Sequence, residues 1–132
     1  MPADPRPVAY LHRVLIVEDD HQLAEVMADV LTYENCLPDI AANGLEALDK
    51  LRTADYEAVI CDLMLPRLDG EALYEEVVKE FPYLGQRFLF ITGQASRKAG
   101  FNDFISRTGN ALLEKPFAIE QLRAALKELL AR

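Results

Sequence analysis

Short apolar runs and longer amphipathic stretches alternate along the chain. The first run, residues 14–17, is continuous and rich in β-branched side chains, as is typical of a strand buried on both faces. The apolar residues after it recur at helical spacing: Leu23, Val26, Met27, Val30 and Leu31. The pattern therefore predicts a strand followed by a helix, with Asp19 or Asp20 available as the helix N-cap.

The same alternation continues to the end of the chain. Further strands are predicted at residues 37–41, 58–61, 87–91 and 111–113. Further helices are predicted at residues 44–52, 70–80 and 119–130, with a weaker one around residues 97–107. Five β-α units predict the α/β class, with a doubly wound five-stranded parallel sheet that has helices on both faces.

Composition and charge narrow the function classes. Of the 132 residues, 51% are hydrophobic and 27% are charged, which excludes a disordered chain and suits one domain. We assign residues 1–12, which are proline-rich at their start, to an N-terminal linker and residues 13–132 to the domain. The net charge of -8 argues against direct binding of nucleic acid or of an anionic membrane surface. Two cysteines and no long apolar run indicate a soluble protein of a reducing compartment, the cytoplasm.

Polar side chains stand at the ends of four predicted strands. The first strand is followed by Glu18, Asp19 and Asp20, and the third by Asp62. Thr92 follows the fourth strand, and Lys115 lies just after the fifth. Because the carboxyl ends of parallel strands meet at one edge of a sheet, these groups are expected to converge.

Carboxylates that converge in this way repel one another unless a cation lies between them, and Mg²⁺ prefers oxygen ligands. The set therefore predicts a Mg²⁺-dependent phosphoryl site. Asp62 is the candidate nucleophile, because a carboxylate can attack phosphorus and form an acyl phosphate. Thr92 and Lys115 can bind the oxygens of the transferred group. Taken singly, each residue is better explained as a cap, a turn residue or a solvated charge, and only their joint placement favours the site.

These segments resemble the receiver domains of two-component response regulators, over residues 13–132. The resemblance rests on the acidic pair after the first strand, on Asp62 with Pro66 and Gly70 behind it, on Thr92, and on Lys115-Pro116-Phe117. It implies a flavodoxin-like (CheY-like) fold and Asp62 as the phosphoacceptor. It also implies Mg²⁺ ligands from Glu18, Asp19, Asp62 and the Met64 carbonyl, phosphoryl contacts from Thr92 and Lys115, and a cis peptide before Pro116.

The resemblance further implies a role in a phosphorelay. A histidine kinase or a histidine phosphotransfer protein would donate the phosphoryl group, and the domain would change conformation to signal. It would not be an enzyme beyond its own phosphorylation and autodephosphorylation. We expect either a stand-alone regulator or the C-terminal receiver of a hybrid histidine kinase, without membrane contact, and a homodimer is left open.

Two positions depart from the family pattern. Many receivers carry Tyr or Phe three residues before the lysine, as a partner of the threonine, and this chain has Leu112 there. Gly93 follows Thr92 where alanine is more familiar, and residues 94–110 form a poor helical pattern that we expect to be mobile or irregular. In this region, Phe101 and Phe104 are expected to pack into the core.

Two other functions are alternatives to a phosphorelay receiver. A phosphatase of the haloacid-dehalogenase type also has a strand-end aspartate, a threonine, a lysine and Mg²⁺. Such enzymes typically have a second aspartate two residues after the nucleophile, and Met64 at that position disfavours this function. A flavin carrier would need hydroxyls and amides in the first loop, where Glu18, Asp19 and Asp20 would repel the cofactor phosphate.

Overall fold

The computed structural model describes residues 11–93 and 100–132 and confirms the predicted alternation of strands and helices. The strands are β1 (His12–Val17), β2 (Cys36–Ala41), β3 (Ala58–Asp62), β4 (Phe88–Gly93) and β5 (Ala111–Lys115). The α-helices are α1 (His21–Tyr33), α2 (Gly44–Thr53), α3 (Gly70–Glu80), α4 (Phe101–Thr108) and α5 (Ile119–Leu130). Most of the predicted linker and the first residues of the weakly predicted helix lie outside the described part of the chain.

The five strands form one parallel sheet in the order β2-β1-β3-β4-β5, which confirms the predicted doubly wound fold. The chain adds β2 on one side of β1 and β3 on the other. The sheet order therefore reverses between β1 and β3, and the helices that follow these two strands lie on opposite faces. In open α/β sheets the crevice at such a reversal, outside the carboxyl ends of the strands, is the usual ligand site.

Both faces of the sheet are buried, which explains the continuous apolar runs. In β1, Val14 and Ile16 pack with α1 and α5, whereas Leu15 and Val17 pack with α2, α3 and α4. Successive side chains of a strand point to opposite faces, so a strand covered on both sides must be apolar at every position. The polar residues at the carboxyl ends of the central strands are therefore attached to the most buried part of the sheet.

Short polar side chains begin the first three helices. Asp20, Asn43 and Asp69 each accept a hydrogen bond from the backbone amide three residues further on, which is the ordinary N-cap arrangement. Of the two aspartates considered for the first cap, Asp20 fills it. The Asp19 side chain, at the end of β1, therefore does not serve as the cap.

Several strands extend further than the hydrophobic pattern predicts. Asp62 is the last residue of β3, and Thr92 and Lys115 lie within β4 and β5 rather than after them. The reason is that backbone pairing continues past the apolar residues, with Thr92 opposite Glu114 and Gly93 opposite Lys115. At the other edge, β1 already includes His12, the last residue assigned to the linker.

The region of the weak helical pattern contains α4. Left-handed glycines bound it at both ends, Gly100 with φ 89° and Gly109 with φ 70°. Phe101 and Phe104 are buried, as expected for core residues. The sequence pattern missed a 3₁₀-helix at Pro82–Gln86, between α3 and β4. None of the helices in the described part of the chain is long and apolar enough to cross a membrane.

Candidate functional site

Three carboxylates meet at the carboxyl edge of the sheet, beside the point where the strand order reverses. Glu18 follows β1 directly and Asp62 ends β3, and both side chains are almost completely buried. Asp19 is exposed beside them. One oxygen from each of Glu18, Asp19 and Asp62 lies within 4.8 Å of the others. Parallel pairing of β1 with β3 brings the ends of these strands together, with Val17 opposite Cys61.

Lys115 reaches this cluster from the end of β5. Its ammonium nitrogen Nζ donates a hydrogen bond to Asp62 Oδ2 at 2.7 Å and lies 2.9 Å from Glu18 Oε1. Burial lowers the pKa of Lys115, but the contacts with Asp62 and Glu18 outweigh it, so the pKa lies above its ordinary value. Lys115 is therefore a fixed positive charge that links the two buried carboxylates.

The pKa of Glu18 lies well above its ordinary value. Burial raises its pKa to about 7, although Lys115 and the backbone amide of Asp20 act in the opposite direction. That amide donates to Glu18 Oε2 at 3.1 Å. Glu18 Oε1 has only the ion contact with Lys115 and accepts no aligned hydrogen bond, alone among the buried side-chain nitrogens and oxygens of the described residues.

This arrangement fits a divalent cation bound through oxygen. A buried carboxylate oxygen without a hydrogen bond is costly, and a cation that it coordinates would satisfy it. Three carboxylates with one lysine leave a local excess of negative charge. Carboxylate oxygens are also the ligands that Mg²⁺ prefers. The residues present are therefore suited to hold such an ion.

The loop after β3 fixes the orientation of Asp62. The backbone amide of Met64 donates to Asp62 Oδ1 at 2.9 Å, so the two carboxylate oxygens of Asp62 have different partners. Behind the loop, the Gly70 amide donates to the Leu63 carbonyl at 3.1 Å. A Cβ on Gly70 would lie 2.6 Å from the Asp62 carbonyl oxygen, so only glycine fits there. Arg67 completes the turn with φ 72°, a left-handed conformation.

Thr92 lies on the neighbouring strand at the same edge. It is fully buried, and Ile91 beside it pairs with Asp62 across β3 and β4. Its hydroxyl donates to the Gly93 carbonyl at 3.4 Å, a long hydrogen bond that another oxygen could replace. The Lys115-Pro116 peptide is cis, as the family resemblance predicts.

The structure thus brings together Glu18, Asp19, Asp62 and Lys115, and it places Thr92 and Met64 on the adjacent backbone. The roles of these residues stay predictions. Sequence reasoning missed two backbone contributions, the Asp20 amide on Glu18 and the Met64 amide on Asp62. A carboxylate at the end of a strand, followed two positions later by a backbone amide in a turn, is the signal for such contacts, but it is too common to be decisive.

The geometry allows one particular chemistry. Asp62 presents a carboxylate whose two oxygens are held by different donors, the Lys115 ammonium and the Met64 backbone amide. A phosphoryl group added to an oxygen of Asp62 would find a lysine ammonium at hydrogen-bond distance and cation ligands within 4.8 Å. Positioned charge of this kind stabilises phosphoryl transfer.

Comparison with known proteins gives consistent matches. The family model of the response regulator receiver domain matches residues 14–127. The response regulator MprA of Mycobacterium sp. (strain KMS) is 34% identical over 125 residues, which cover 91% of this chain and 51% of that protein. MprA of Mycobacterium avium (strain 104) is 33% identical with the same coverage. The chain therefore spans about half the length of these curated relatives.

Solved structures agree with the sequence comparison. A response regulator receiver domain protein (CheY-like) from Methanospirillum hungatei JF-1 superimposes with a TM-score of 0.82 at 29% identity, covering 92% of this chain and 94% of that chain. NtrX from Brucella abortus, in complex with ADP, has a TM-score of 0.79 at 26% identity, covering 92% of this chain and 27% of NtrX.

Proposed function

Since this chain belongs to the response regulator receiver domain family, we propose that it is a phosphoacceptor in a two-component phosphorelay and that Asp62 accepts the phosphoryl group. The observation that carries this proposal is the position of Asp62. Its side chain is buried at the end of β3, 2.7 Å from the Lys115 ammonium and within 4.8 Å of two other carboxylates. Lys115 offsets part of the negative charge gathered here, and a bound cation would offset more of it.

Glu18, Asp19 and Asp62, with the Met64 carbonyl, would hold Mg²⁺ at this site. When bound, the ion supplies positive charge that offsets the carboxylates and the incoming phosphoryl oxygens. The support within this chain is the donor set and the Glu18 oxygen that lacks an aligned hydrogen bond. The Lys115 ammonium would neutralise part of the same charge.

The transfer step follows from this arrangement. An oxygen of the Asp62 carboxylate attacks the phosphorus of a phosphohistidine, and a P–O bond forms on Asp62. The P–N bond breaks, and the imidazole leaves with the electron pair of that bond. Lys115 binds an oxygen of the transferred group, and the Thr92 hydroxyl gives up its long contact with Gly93 to donate to another.

A phosphorylated Asp62 would change the protein through local charge. The modification adds negative charge and acceptor oxygens beside Thr92 and Lys115, which lie on β4 and β5. The conformations of the adjacent loops and of α4 would shift in population as these residues are drawn to the new group. With Leu112 in place of the usual aromatic residue, this response cannot use a ring that swings beneath the threonine.

The partners follow from the same proposal. The donor is a histidine kinase or a histidine phosphotransfer protein, and the acceptor acts in the cytoplasm as a stand-alone regulator or as the receiver of a hybrid kinase. Its catalysis is limited to its own phosphorylation and dephosphorylation.

The proposal is tested by incubating the protein with acetyl phosphate and measuring intact mass, with Mg²⁺ and with a chelator. We expect one phosphoryl group per chain, only with Mg²⁺, and none on Asp62→Asn. Asp49→Asn is the matched control, because Asp49 is an exposed carboxylate on α2, away from the site. Equal labelling of the Asp62→Asn variant, or sustained hydrolysis of many equivalents of acetyl phosphate, would contradict a stoichiometric phosphoacceptor and favour a phosphatase.

A further inference from the structure

Four aromatic side chains from three elements meet on the face of the sheet that packs with α2, α3 and α4. Here called the aromatic cluster, they are Tyr74 on α3, Phe88 and Phe90 on β4, and Phe104 on α4. The Tyr74 ring lies edge-on to the other three, with its centroid 4.9 Å from Phe88, 5.5 Å from Phe90 and 5.6 Å from Phe104. The centroids of Phe90 and Phe104 are 5.4 Å apart. The cluster therefore packs α4 against β4 through a direct ring contact.

The aromatic cluster is connected to the phosphoryl site through β4. Phe90 and Thr92 are two positions apart on this strand, so their side chains project from the same face of the sheet. Phe90 pairs with Leu112 on β5, so the neighbouring strand places no ring beside it. Two residues of strand span about 7 Å. A movement of the end of β4 therefore reaches the cluster over a short distance.

Tyr74 and Phe104 differ in how firmly their surroundings hold them. The Tyr74 hydroxyl donates to the Gly85 carbonyl at 2.6 Å, which fixes this ring at both ends. Phe104 borders a surface cleft of about 130 Å³, whose other lining residues are Tyr74, Glu75, Arg107 and Thr108. A cavity of about 150 Å³ accommodates benzene, so a cleft of this size gives a ring room to move. The Phe104 ring can therefore be displaced while Tyr74 stays in place.

The ends of α4 allow the helix to follow its ring. Gly100 and Gly109 flank the helix in the left-handed conformation, with φ 89° and φ 70°. Glycine has more backbone freedom than any other residue, so a small rotation at these two positions carries little steric cost. The helix between them has only 8 residues. α4 can therefore turn as a unit between its two glycines.

We infer that the aromatic cluster relays phosphorylation of Asp62 to α4, an inference that rests on the proposed function. As Thr92 moves to donate to the phosphoryl group, Phe90 moves with β4. Phe90 then displaces Phe104 along the fixed Tyr74 ring, and α4 turns. Protein interiors are close-packed, so displacement of one ring displaces the ring that it contacts. Phe90 and Phe104 are thus positioning residues, which act on α4 without touching the phosphoryl group.

A relay is distinguished from a purely structural role by what it couples. Coupling between two sites is reciprocal, so loss of the Phe90–Phe104 contact should release Thr92 from α4 as well as α4 from Thr92. A variant without the Phe104 ring should therefore still bind an anion at Asp62, while its α4 no longer responds. If Phe104 only filled the core, its loss would lower stability but leave the response of α4 unchanged in the folded protein.

The test is NMR spectroscopy of the full chain with Mg²⁺ and beryllofluoride, which mimics a phosphoryl group on a carboxylate. The Met64 amide reports the adduct, because it donates to Asp62 Oδ1. The Ile105 and Thr108 amides report α4. In the native chain all three amides should shift, together with the ring signals of Phe104. In Phe104→Leu the Met64 shift should remain and the shifts on α4 should be lost.

Phe81→Leu is the matched control, because the Phe81 ring pairs with Tyr83, outside the aromatic cluster. It should respond like the native chain. Phe90→Leu is a second relay variant with the same expected loss as Phe104→Leu, and circular dichroism confirms that each variant is folded. The Phe104 ring signals of the native chain test the relay without any substitution.

Two results would overturn the relay and leave Asp62 as the binding site. One is a full shift of the α4 amides in folded Phe104→Leu. The other is a native chain whose Met64 amide shifts while the Phe104 ring signals do not move. A native chain whose Met64 amide also stays unshifted would contradict the proposed function, and the relay with it.

Discussion

Gly70 offers the sharpest test of how the fold holds Asp62 in place. A Cβ built on Gly70 would lie 2.6 Å from the Asp62 carbonyl oxygen and 2.7 Å from the Leu63 Cα. Both are backbone atoms, so no change of side-chain rotamer can relieve the collision. In Gly70→Ala either the start of α3 or the end of β3 must move, and the second movement displaces Asp62 itself.

The magnitude follows from these distances and from a matched glycine. Overpacking of a rigid site costs about 1–3 kcal/mol, and contact with backbone on two atoms places Gly70→Ala near the upper end. At Gly85 the nearest atoms to a Cβ are side-chain atoms of Val78 and Tyr74, at 3.6 Å or more. Gly85→Ala should therefore be neutral or more stable by up to about 1 kcal/mol, because it restricts the unfolded chain in the same way without a collision.

The assay is urea unfolding followed by circular dichroism, together with the rate of phosphorylation by acetyl phosphate at a temperature where both variants are folded. We expect Gly70→Ala to lose about 2–3 kcal/mol and to be phosphorylated more slowly, whereas Gly85→Ala should be at least as stable as the native chain and be phosphorylated at the native rate. Equal stability of the two alanine variants would refute the reasoning, because it would mean that α3 adjusts without cost.

Three further predictions concern the loop, the pH response and the lysine. Arg67 has φ 72°, so Arg67→Gly should raise the free energy of unfolding by about 1 kcal/mol in urea, and no gain would contradict strain there. The pKa of Glu18 is raised from 4.5 to about 7, so without metal the folded form binds this proton more tightly than the unfolded chain does. Stability from this group is therefore lost as pH rises through about 7, and Mg²⁺, which needs the carboxylate, should bind more tightly at pH 8 than at pH 6 in a calorimetric titration. Equal Mg²⁺ affinity at the two pH values would contradict this. Lys115→Ala should keep the stabilisation by Mg²⁺ but lose the spectroscopic change caused by beryllofluoride, and an unchanged response would contradict the proposed role of Lys115 in binding the phosphoryl group.

The order of the elements could be predicted because the apolar pattern is unambiguous where packing is densest. The run at β1 is continuous since both faces of that strand are covered, and α3 and α5 are confirmed at the residues predicted from their helical period. The ends of the strands were less predictable. Pairing between strands extends over polar residues such as Thr92 and Lys115, and hydrophobicity carries no information on this.

The gathering of the site residues could also be predicted, because parallel strands deliver their last residues to one edge. What could not be predicted is which atoms meet there. The position of Lys115 between Asp62 and Glu18 depends on how far β5 extends, and the raised pKa of Glu18 depends on burial by the assembled fold. The close approach of Gly70 to the backbone of Asp62 depends on how α3 packs against the end of β3. A glycine in the sequence allows such a contact but does not show that it is made.

The proposed function requires that a phosphoryl group be carried on the Asp62 carboxylate. Reduction with borohydride converts an aspartyl phosphate to homoserine, so the protein is treated with acetyl phosphate, reduced, digested and sequenced by mass spectrometry. We expect homoserine at position 62 alone, and only when Mg²⁺ was present. Homoserine at Asp19 or Asp20, or its absence from position 62 in a phosphorylated sample, would contradict it.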